Sequence, residues 1–156
     1  MKIRPCVLWK VPLYCLVASF VSFYITVSMG FFYLVKNVGA DGVTKVSVDP
    51  VRSAIINIFL FVLVLLIGGL RFKKSMSKSE IAVSSAIVSA FYFAVTLIQI
   101  FVPNSPPLFT TAMVYLQSWT GAAAAVLFNV FGFPAAALLS CLAPFLFVPF
   151  GRRQAE

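Results

Sequence analysis

Residues 81–102 read IAVSSAIVSAFYFAVTLIQIFV, an uncharged run closed by Pro103. Coiled as an α-helix it is about 33 Å long at 1.5 Å per residue, enough to cross a hydrocarbon core of about 30 Å. Lipid cannot hydrate bare peptide groups, so a run of this kind crosses a membrane as a helix that pairs its own backbone. Its polar members are not scattered. Ser85, Ser89, Tyr92, Thr96 and Gln99 recur at spacings of four and three, which puts them on one helical face, with Ile, Val, Phe and Leu opposite.

Working outward, the same reading predicts spans over residues 11–35, over 53–70 with Gly68-Gly69 at its end, and over 121–148. More than forty residues between Pro107 and Gly151 lack a charge, too many for one straight span. Tyr115 and Trp119 suit the headgroup level, so residues 107–120 are expected to form a short outer interfacial helix. Gly132 and Pro134 are expected to kink the span that follows. A competing division makes 108–131 a span and 135–150 a re-entrant or fifth helix. It would place Arg152 and Arg153 across the membrane from the other basic clusters, which argues against it. The expected architecture is therefore all-α, a single polytopic membrane domain over residues 1–156 built as a four-helix transmembrane bundle with a kinked fourth helix.

Composition agrees with this solvent. Of the 156 residues 62% are hydrophobic and 10% charged, and the mean hydropathy is +1.04; a soluble domain carries about a quarter of its residues charged. The net charge of +8 follows from topology and does not call for nucleic acid as a partner. Lys2, Arg4, Lys10, Arg71, Lys73, Lys74, Lys78, Arg152 and Arg153 fall at one side of the expected bundle, against Lys36, Lys45 and Arg52 at the other. Positive residues are retained in the cytoplasm, so both ends and the basic loop 71–80 are expected inside a cytoplasmic membrane, with loop 36–52 outside. Within that outer loop Val43–Val48 alternates in strand fashion and predicts a short hairpin or an extended lid. Ser79 beside Glu80 is expected to cap the third helix. The apolar run after Lys10 is longer than a signal-peptide core, so it is expected to remain as the first span.

Chemistry is sparse. The chain has no His, and its carboxylates, Asp41, Asp49, Glu80 and Glu156, all fall outside the expected spans, which leaves no proton-transfer group at mid-membrane. Cys6, Cys15 and Cys141 show no CxxC spacing, and no metal-ligand cluster or cofactor fingerprint is present. Cys6 is a candidate for acylation and the other two read as small hydrophobes. The expectation is a protein that is not an enzyme and holds no cofactor.

Two readings of the polar faces stay open. In one, Ser85, Ser89, Tyr92, Thr96 and Gln99, with the small-residue seams Cys15-Ser19-Ser22-Thr26-Gly30 and Ser118-Ala122-Ala125-Asn129, serve close helix packing and a few hydrogen bonds of about 0.6 kcal/mol each. In the other they meet Asn57 and Asn129 around a polar path or small-molecule pocket. The first implies an assembly or accessory subunit, with lipid, further copies or other membrane subunits as partners. The second implies a small transporter or channel subunit.

Overall fold

The computed structural model describes residues 4–38, 44–101, 111–112 and 115–152. Its frame is three long helices: α1 (Lys10–Ser28), α2 (Pro50–Ser75) and α3 (Lys78–Phe101). Each is long and apolar enough to cross a membrane, the first counted from its lead-in turn at Pro5. Ile55, Phe59, Val62, Leu66 and Leu70 of α2 are left exposed along one side, a surface that suits lipid as solvent.

The first helix stops short of the expected limit at residue 35. It ends at Ser28, and after one further turn, Gly30–Tyr33, the chain enters β1 (Leu34–Val38), which pairs antiparallel with β2 (Thr44–Val48), Leu34 opposite Val48. The expected hairpin is thus present and consumes the end of the expected span. β-branched Val35 and Val38 favour strand, where they pack across the pair. Asp49 then starts α2: its carboxylate accepts from the Val51 and Arg52 amides at 3.0 and 3.2 Å, and Pro50 takes the first turn.

The basic loop expected over 71–80 is almost wholly helical, and Met76 and Ser77 alone separate α2 from α3. The cap of α3 is Ser77, not Ser79. Ser77 Oγ accepts from the Glu80 amide at 3.3 Å, and Glu80 Oε2 accepts from the Ser77 amide at 3.0 Å, the reciprocal arrangement of a capping box.

The expected fourth span, 121–148, is not one helix. Three pieces replace it: α4 (Gly121–Phe131), α5 (Phe133–Ser140) and a 3-10 segment, Ala143–Phe150. A straight helix over those residues would be about 40 Å long, yet the Trp119 and Phe147 rings are 5.8 Å apart. The chain therefore doubles back between them. It does so at Gly132, whose φ of 77° is the left-handed conformation that glycine adopts without strain. Pro134, Pro144 and Pro149 then deny the returning chain three backbone donors, so a long helix cannot form there.

The expected outer interfacial helix over 107–120 falls in large part outside the described residues, and the correction concerns one of its two anchors, Trp119. Residues 102–110 and 113–114 lie outside the described residues, but Trp119 and Thr120 are fully buried. Trp119 stacks on Phe61 of α2 at 5.7 Å and lies beside Phe147, inside the bundle and not at a headgroup surface.

The returning segment closes the molecule where α2 meets α3. Arg152 donates its amide to Met76 O at 3.2 Å and accepts from the Lys78 amide at 3.1 Å. Gly151 makes that approach possible, since a Cβ there would lie 2.7 Å from the Lys78 Cα and N. From the other end of the chain Arg4 reaches Glu80 and the Ser75 carbonyl. Arg4, Lys10, the α2–α3 turn and Arg152 thus share one basic end, opposite the β-hairpin.

Candidate functional site

The polar face of α3 is where the sequence points, and the structure fills most of it with irregular backbone. Ser84 Oγ donates to the Leu8 carbonyl, in the turn before α1. One residue on, Ser85 Oγ donates to Pro144 O at 2.9 Å, inside the 3-10 return. Further along, Gln117 Nε2 donates to Tyr92 O at 3.1 Å and to Thr96 Oγ1 at 3.2 Å, and Trp119 Nε1 donates to the Tyr92 hydroxyl at 3.1 Å. Thr96 Oγ1 also lies 3.4 Å from Cys141 Sγ. From α1, Ser19 Oγ donates to Leu116 O at 2.7 Å.

One pattern connects these bonds. Leu8 and Leu116 lie beside segments where the regular i to i−4 ladder is interrupted, and Pro144 lies within a 3-10 segment, where backbone bonds run to i+3 instead. At membrane depth such irregular backbone is tolerated only when protein satisfies it. The serines of α1 and α3 donate to these irregular segments, and the side chain of Gln117 fastens residues 115–120 to Tyr92 and Thr96. The stripe is a socket for a broken chain.

The expected residues fare unequally. Ser85, Ser89, Tyr92 and Thr96 are buried together on α3, while Gln99 is half-buried near its C-terminal end. Asn57 does not join them: its Nδ2 donates back to Ser53 O at 2.9 Å, with Ser53 Oγ at 3.4 Å, within α2. An amide that bonds the preceding turn of its own helix needs no cavity. The Asn129 side chain lies outside the described residues. Ser89 is the exception to the socket, since among the described residues its Oγ is the one buried side-chain oxygen without a hydrogen-bond partner.

Ser84 and Gln117 are part of the site and were not predicted. The double serine at 84–85 is a signal for the first; Gln117 was hidden by the interfacial reading of residues 107–120. The small-residue seam of α1 does pack as its spacing predicts, with Cys15, Ser19 and Ser22 buried.

Among the described residues no group of three His, Cys, Asp or Glu side chains converges. Glu80, held by Arg4 through paired bonds of 2.8 and 3.1 Å, is at the basic end, away from the stripe. No protein-family model matches this chain, and no curated protein or solved structure matches it either.

Proposed function

We propose that this chain is a non-enzymatic multi-pass membrane protein that serves as an assembly or accessory subunit of the cytoplasmic membrane. Its basic end, with both chain ends, is read as cytoplasmic, because positive residues beside spans are retained on that side. The observation that carries the accessory reading is the occupied stripe: Ser84, Ser85, Tyr92 and Thr96 are bonded to the chain's own Leu8, Pro144, Trp119 and Gln117. Polar groups bonded in this way are taken from any solute path along α3. The outward faces of α1 and α2, rich in uncovered Val, Leu, Ile and Phe, suit lipid and neighbouring helices.

A transporter or channel subunit is the second reading, and the unpaired Ser89 hydroxyl is what favours it. Reconstitution into liposomes separates the two. The accessory reading expects no solute flux above that of empty vesicles, and no change on replacing Gln99→Leu or Asn129→Leu. Solute flux that these two variants abolish, while circular dichroism and gel filtration in detergent stay as in the parent, would give the site to transport.

A further inference from the structure

Two grooves run beside α1, and they differ in charge. One, about 240 Å³, lies against α3 and is lined by Trp9, Pro12, Leu16, Ile87 and Phe91 without a charged residue. The other, about 670 Å³, lies against α2 at the basic end and is lined by Lys10, Leu13, Val17, Leu70, Arg71 and Lys74. On α1, Lys10, Leu13 and Val17 follow at spacings of three and four, so the cation heads an apolar strip that continues along the helix. On α2, Leu70 plays the apolar part and Arg71 and Lys74 the cationic one.

These three cations have no competing acid among the described residues. Glu80 is bound to Arg4, and Asp49, 3.2 Å from Arg52, lies at the hairpin end. All three are exposed, and the cleft between them has a fixed wall, because Tyr14 donates its hydroxyl to Val64 O at 2.7 Å and ties α1 to α2. The neighbouring cation Arg152 is held elsewhere, its Nε donating to Lys73 O at 2.8 Å. A cationic mouth over an apolar floor, at the depth where a helix leaves the hydrocarbon, matches the charge order of an anionic phospholipid.

We propose that the α1–α2 groove binds one anionic diacyl phospholipid, its phosphate at Lys10, Arg71 and Lys74 and its chains along Leu13, Val17 and Leu70. The site rests on the reading of the chain as membrane-inserted, but its binding chemistry is independent of which side the basic end faces.

Native mass spectrometry of the full chain in neutral detergent tests it, with phosphatidylglycerol, phosphatidylcholine and inorganic phosphate as separate probes. The expected result is a single retained phosphatidylglycerol, preferred over phosphatidylcholine, and no retention of phosphate alone. Arg71→Gln with Lys74→Gln lowers phosphatidylglycerol affinity by about thirtyfold, at about tenfold per 1.4 kcal/mol and about 1 kcal/mol per cation. Lys10→Gln, on the other helix, weakens it by about fivefold and guards against a fold defect confined to α2. Lys73→Gln with Lys78→Gln removes the same charge outside the groove and leaves binding unchanged. Equal loss in both double variants would reduce the effect to net charge, and phosphate binding as tight as the lipid's would assign the groove to a free anion; either outcome overturns the proposal. Because the measurement is made in micelles, its failure leaves the topology untouched, and an inverted topology leaves the measurement untouched.

Discussion

Glu80 is 2% exposed, and its burial is possible because every direction open to its carboxylate holds a donor. Arg4 supplies three bonds, from Nε, Nη2 and its backbone amide, and the Ser77 amide a fourth. Ser77 answers by accepting from the Glu80 amide, so the first turn of α3 is closed on both sides. The test is a pair of serines two residues apart. Ser77→Ala is expected to cost about 1 kcal/mol, the usual loss of an N-cap, read as a lower Tm in detergent. Ser79→Ala is expected to change stability by less than about 0.5 kcal/mol, since Ser79 touches the box through the Ser77 hydroxyl alone. The sequence shows Ser77-x-x-Glu80 as plainly as Ser79-Glu80, and spacing decides between them: a side chain at the third helical position reaches back to the cap residue, whereas one beside it does not.

At the scale of elements, the stripe on α3 and the broken return are two halves of one device. Ser85 donates its hydroxyl to Pro144 O, within the 3-10 segment. Ser89, one turn on, has no hydrogen-bond partner among the described residues. Ser85→Ala is therefore expected to destabilise the protein by about 1 kcal/mol, the net worth of the one buried hydrogen bond it removes. Ser89→Ala is expected to be neutral or stabilising, because it removes a buried hydroxyl that forms no bond. Thermal unfolding of the two variants side by side checks the difference; equal losses would mean that the stripe acts through packing alone. The descent of residues 115–120 has its own signature. Trp119 is 2% exposed and Trp9 is 75% exposed, so Trp9→Phe leaves a lone indole sealed among Phe61, Tyr92 and Phe147. Its fluorescence is expected to be blue-shifted and insensitive to iodide, where a headgroup-level Trp would be quenched. The uncharged runs 53–70 and 81–102 were legible because composition and length settle a span in lipid. Residues 107–150 were not, because hydropathy cannot tell a crossing from a fold back into the bundle. The decisive cues there are local: Gly132 turns the chain, and Pro134, Pro144 and Pro149 prevent the long helix that periodicity suggests.

For the molecule as a whole, three long helices and a returning segment bring Arg4, the α2–α3 turn and Arg152 to one end. That end carries Arg4, Lys10, Arg71, Lys73, Lys74, Lys78 and Arg152 against Glu80 among the described residues, while at the hairpin end Arg52 is paired with Asp49. The asymmetry survives the correction of the fourth span, because a chain that folds back at Gly132 and then descends ends on the same side as one that crosses once. The proposed orientation, basic end inward, rests on this asymmetry and on retention of positive charge. The cysteines report on this without any added tag. Cys6 is exposed at the basic end, whereas Cys15 and Cys141 are buried. A thiol reagent that cannot cross lipid is expected to spare the protein in right-side-out vesicles and to label one site in inverted vesicles. Cys6→Ser is expected to remove that label. Labelling in right-side-out vesicles would reverse the orientation, and labelling of the Cys6→Ser variant would show that Cys15 or Cys141 is reached from water, against their burial in the bundle.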